Sequence, residues 1–187
     1  MWPWEHLAFA YLIVSGFYRL AWRDRPTDVA AVVIAVGALL PDLVDKPLAW
    51  GLGVLPTGRS LGHSLLVVVP VLVVVLALGR RTRDPRAAVA FAIATLSHLA
   101  GDVLYPLVVS GELRVRFLLW PFVPAHVHDG GSGGLFGRVV EYFGDFLSFL
   151  ATPRGALFLA VDIGLVLAAV AVWYLDGMPG IPDRVRP

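Results

Sequence analysis

His98 and Asp102 stand four residues apart in an otherwise apolar stretch. On a helix, that spacing projects the imidazole and the carboxylate from one face, a polar stripe continued by Thr95 and Tyr105. A charged side chain at mid-membrane depth costs about 2.5–3.5 kcal/mol on insertion scales, so such a residue turns to a bundle interior and a partner. A divalent cation is the most economical partner. His6, Asp42, Asp45 and His63 lie near the ends of other apolar runs, far apart in the chain. Imidazole and carboxylate together suit Zn, with Mn or non-haem Fe as alternatives, whereas several histidines fit poorly with the oxygen preference of Mg or Ca. Cysteine is absent, which excludes thiolate ligands, Cys nucleophiles and disulfides.

Each residue also has a plainer reading. His6 follows Glu5 at the start of an apolar run, where a lone histidine is usually solvated. Asp42, after Pro41, could simply end a helix, and Ser60 and Ser64 could cap the next one with His63 as a bystander. His98 and Asp102 could be a hydrogen-bonded pair that joins helices, and Asp162 either such glue or a partner behind the ligands. His126, His128 and Asp129 read as solvated loop residues. The metal reading gains because every plainer one must be invoked separately.

The elements that position these residues are membrane helices. Of 187 residues, 58% are hydrophobic and 16% charged, against about 25% charged in an ordinary soluble domain. Mean hydropathy is +0.76. A formal net charge of +1 leaves no basic face for nucleic acid. A span needs roughly 20 apolar residues. The expected fold is an all-α, polytopic membrane helix bundle, a single domain over 1–187 with about five spans: Trp4 to Leu20, Val29 to Leu40, Leu61 to Leu78, Ala87 to Val109 and Ala156 to Leu175. Gly/Pro punctuation between Lys46 and Gly58 suggests a re-entrant or interfacial turn, and Pro70 a kink in span three. Between spans four and five, Ser110 to Pro153 is a long loop with a Gly/Ser-rich segment at 130–134 and an amphipathic surface helix over Phe136 to Leu150. No secretory signal pattern opens the chain, so the first helix is expected to be its own insertion signal.

Basic residues set the expected orientation. Arg19, Arg23 and Arg25 follow span one, and Arg80, Arg81, Arg83 and Arg86 follow span three, whereas Lys46 and Arg59 alone lie between spans two and three. Cytoplasmic loops are rich in Lys and Arg, which places the N-terminus outside and the 110–153 segment outside. His6, Asp42, Asp45, His63, His98 and Asp102 then share one depth near the outer surface.

The stretches Glu5-His6-Leu7, Leu39-Leu40-Pro41-Asp42, Gly62-His63-Ser64-Leu65-Leu66, Leu96-Ser97-His98 with Asp102, and Leu119-Trp120-Pro121-Phe122 occur together in this order. In this the chain resembles the LexA-binding, inner-membrane-associated hydrolase family, also described as metal-dependent membrane hydrolases, over roughly residues 5 to 122. That resemblance implies a multipass membrane protein with a metal-hydrolase site. The chain departs from the family's Pro-Asp-x-Asp-His, since Asp45 is displaced by one residue and Lys46 replaces the histidine; Gly58 stands before Arg59 where the family often carries a histidine. More distantly, His6, Asp42, His63 and the His98-x-x-x-Asp102 pair are similar in order to the ligands of the zinc-dependent phospholipase C and P1 nuclease group, whose later His-rich segment could be matched only by His126 and His128 with Glu141 or Asp145.

The expected function is metal-dependent hydrolysis of an ester or phosphoester, with a phospholipid or another amphiphile as the fitting substrate at the outer membrane face. His6, Asp42, His63, His98 and Asp102 are the expected metal ligands, Asp45 the acceptor of the water's proton and Arg59 the group for a phosphate. The alternatives are a non-enzymatic metal or proton carrier and a scaffold with a structural metal. The expected partners are the lipid bilayer and a small-molecule or lipid substrate, with no nucleic acid.

Overall fold

Apolar runs punctuated by proline and glycine fold here into helices. The computed structural model describes residues 1–82, 84–124 and 134–182. Among these residues the protein is all helical: α1 (Pro3–Trp22), α2 (Asp28–Lys46), α3 (Leu65–Gly79), α4 (Pro85–Ser110), α5 (Gly134–Leu150) and α6 (Pro153–Leu175). A π-helical turn, Pro47–Gly51, extends α2, and a 3-10 turn, Arg116–Leu119, follows α4.

Two of these helices, α4 and α6, are long and apolar enough to cross a membrane by themselves. α3 is as apolar but has 15 residues. Its start lies at Leu65, not at the expected Leu61, because residues 61–64 belong to a turn that serves His63. α1 and α2 have span length, with 20 and 19 residues, and carry charges at their ends. Pro41 does not end α2; the helix runs through Asp42 and Asp45 to Lys46. The expected amphipathic helix is present as α5, with Phe136, Val139, Val140, Phe143 and Leu147 exposed at helical spacing along one face.

The chain divides into two compact units. The first holds residues 1–40, 70–102 and 164–187. Its core is a set of stripes at four-residue spacing: Ala10, Val14 and Tyr18 on α1, Ala30, Ile34 and Ala38 on α2, and Ala90 and Ala94 on α4. Lipid tails are as apolar as these side chains, so close packing of small residues must do what hydrophobic burial does in water. Gly37 marks the closest approach, since a methyl group there would lie 2.8 Å from the Phe91 carbonyl oxygen. Val71, Val73 and Val74 of α3 and Leu167 of α6 point outward and exposed, the reverse of a soluble fold.

The second unit holds residues 41–69 and 103–163. Aromatic contacts join its parts: Trp50 stacks on Tyr142 of α5 at 5.5 Å, and Phe146 and Phe149 pack on Phe158 of α6.

Candidate metal centre

In the first unit the buried stripes end in ligands. Reading α1 backwards by fours from Tyr18 gives Val14, Ala10 and then His6, and reading α4 forwards from Ala90 gives Ala94, His98 and Asp102. The register that packs small residues therefore delivers two imidazoles and a carboxylate to the same interior. His6 and His98 stack with ring centroids 3.7 Å apart. All three residues are at most 1% exposed, so His6 is no solvated interface histidine.

The protons in this cluster can be placed by chemistry. His98 Nδ1 lies 2.6 Å from the carbonyl oxygen of Ala38, which can only accept, so Nδ1 carries a hydrogen and Nε2 is the nitrogen left for the site. That nitrogen lies 4.0 Å from Asp102 Oδ2. His6 Nε2 lies 3.5 Å from Asp102 Oδ1, and the amino group of Met1 reaches the same oxygen at 3.1 Å. Donor atoms of His6, His98 and Asp102 all fall within 4.8 Å of one another. With metal–ligand bonds of roughly 2.0–2.2 Å, ligands of a tetrahedral ion lie roughly 3.3–3.5 Å apart, so the trio fits a divalent cation with small adjustment and leaves a coordination position for water or substrate. Thr95, the expected continuation of the stripe, donates its hydroxyl to its own helix at Phe91 O, 3.0 Å away.

The second unit assembles its own set. Asp45 is fully buried, and its oxygens receive the backbone N–H groups of Ser60 at 2.6 Å and Gly62 at 2.8 Å. His63 Nδ1 lies 2.8 Å from the same carboxylate, which can only accept there, and His63 Nε2 lies 3.6 Å from Asp42 Oδ1. This is the arrangement in which a carboxylate behind a histidine fixes its tautomer for a metal in front. Gly62 is needed for it: a methyl group there would meet the Pro41 carbonyl oxygen at 2.9 Å. Lys46 Nζ holds the other oxygen of Asp42 at 2.5 Å. Ser64 does cap α3, accepting the N–H of Leu66 at 3.2 Å, and also donates to the Trp120 carbonyl, but His63 is buried and engaged and is no bystander. Arg59 is half-buried, with its guanidinium over the Phe117 ring at 5.8 Å.

The structure thus brings His6, His98 and Asp102 together in one unit, and Asp42, Asp45 and His63 in the other. Asp162 is buried in α6. His126, His128 and Asp129 lie outside the described residues. Sequence reasoning overlooked Asp176, a buried acid that accepts hydrogen bonds from Tyr11 at 2.9 Å and Ser15 at 2.6 Å and is ion-paired with Arg19. The signal was available, because Tyr11, Ser15 and Arg19 repeat every four residues through an apolar helix.

Compared with known proteins, the chain matches the family described as YdjM inner membrane protein over residues 1–176. No curated protein and no solved structure matches it.

Proposed function

We propose that this chain, which belongs to the YdjM inner membrane protein family, is a metal-dependent membrane hydrolase acting on an ester or phosphoester at the membrane surface. The observation that carries this reading is the buried trio His6, His98 and Asp102, in which two imidazoles and an acid turn toward one point inside an inner membrane protein. The proposed ligands are these three in the first unit and Asp42 and His63 in the second, and Zn is the first choice of ion, with Mn or Fe next. The proposed topology has five spans, the N-terminus outside, the ligands near the outer surface and α5 lying along it.

A bound divalent ion supplies Lewis acidity and lowers the pKa of a coordinated water from 15.7 to about 7. The chain's own residues divide the remaining tasks. The Ala38 carbonyl fixes His98, and Asp102 supplies anionic oxygen. Asp45, whose oxygens already receive three N–H groups, is proposed to orient His63 in preference to taking up a proton. Arg59 offers its guanidinium to a phosphate.

The test is release of headgroup or phosphate from a panel of phospholipids and phosphodiesters by purified protein loaded with Zn, Mn or Fe. Metal-dependent release, abolished by a chelator, is expected; no release across the panel from fully loaded protein overturns the proposal. A carrier would instead move cations in sealed vesicles, and this reading predicts no flux.

A further inference from the structure

At the far end of α1, roughly 25 Å along the helix axis from His6, Arg19, Arg23, Asp24 and Arg25 line an open cavity of about 440 Å³. Three arginines line it with one aspartate. That carboxylate is already engaged: Asp24 accepts the backbone N–H of Arg25 at 2.9 Å on one oxygen and the Arg86 guanidinium at 2.7 Å on the other. These contacts, the Arg25 N–H first, hold the Asp24 carboxyl below the usual carboxylate range. Arg19 is fixed by its ion pair with the buried Asp176. Among the described residues, neither Arg23 nor Arg25 has a carboxylate within ion-pair distance.

The backbone adds a second observation. Arg23 closes α1 in the left-handed conformation, φ 52° and ψ 37°, where its N–H bonds the Tyr18 carbonyl. Glycine is the usual residue there, because any side chain with a Cβ is strained. Keeping an arginine at a glycine position calls for a reason other than helix capping. Its place in the lining of a basic cavity supplies one.

We propose that the cavity formed by Arg19, Arg23 and Arg25 is a binding site for a phosphate-bearing anion, separate from the metal centre. Guanidinium forks match phosphate oxygens in pairs, and a basic cluster beside a membrane helix is the usual receiver of anionic headgroups. The same chemistry would take a lipid headgroup or a free phosphate compound.

The experiment is calorimetric titration of the detergent-purified protein with a short-chain phosphatidylglycerol, the matching phosphatidylcholine and inorganic phosphate. Saturable, salt-sensitive binding of phosphatidylglycerol over phosphatidylcholine is expected. Arg23→Gly and Arg25→Gln should each weaken it about tenfold, the scale of one charge-assisted contact. Arg23→Gly should also melt no lower than wild type, since it relieves the strained cap, and neither variant should change metal content. Binding of inorganic phosphate with the same sensitivity assigns the site to soluble anions; phosphatidylglycerol alone assigns it to headgroups. Equal binding of phosphatidylcholine, no binding of any probe, or wild-type affinity in both variants overturns the proposal.

Discussion

The two units surround a buried carboxylate with different donors. In the second, Asp42 has a cation from its own helix, Lys46, 2.5 Å away, and Asp45 is saturated by N–H donors. In the first, Asp102 receives the Met1 amino group at 3.1 Å and faces two stacked histidines, one of which has its Nδ1 proton committed to a carbonyl on the other side. Each acid thus meets an ammonium, but the first set adds two imidazoles to its acid where the second has one, and imidazole with carboxylate is the donor mix that suits Zn. On that difference in donors the first set is the proposed primary metal site.

Four variants break or sharpen that contrast. Replacing both His98 and Asp102 by Ala should lower retained metal more than about hundredfold, beyond the cost of removing a group that only orients a ligand; metal content of the purified variant checks it. Asp45→Asn should weaken metal binding by about 10–100-fold through misorientation of His63. Unchanged affinity in a chelator competition would mean that the second set holds no ion. Asp176→Asn should cost about 1–3 kcal/mol of stability, through weakened hydrogen bonds from Tyr11 and Ser15 and loss of the charge opposite Arg19. It should leave metal content at the wild-type level, which separates packing of the first unit from its chemistry. Lys46→Met, removing the second set's own cation, should raise metal affinity by up to about fivefold, the scale of one partly exposed ion pair; a fall would mean that Lys46 supports the site instead of competing for Asp42.

Much of this was legible in the chain. The His98-x-x-x-Asp102 spacing fixes a shared helix face without any tertiary knowledge, and apolar length placed α4 and α6 to within a few residues. His6 and His98 could be matched only through a shared depth; their stacking depends on how α1 packs against α4, which alanines at positions 10, 90 and 94 allow and do not announce. The start of α3 was misplaced because Leu61 is as apolar as the helix after it, and what holds residues 60–63 in a turn is Asp45, 15 residues or more upstream. Asp176 escaped because its donors lie more than 150 residues away.

The most direct test locates the ion itself. Crystals of protein loaded with Zn, measured on either side of the zinc absorption edge, should give an anomalous peak within about 2.3 Å of nitrogen atoms of His6 and His98 and an oxygen of Asp102. Fully loaded protein whose anomalous density lies elsewhere, with those three side chains uncoordinated, would contradict the account.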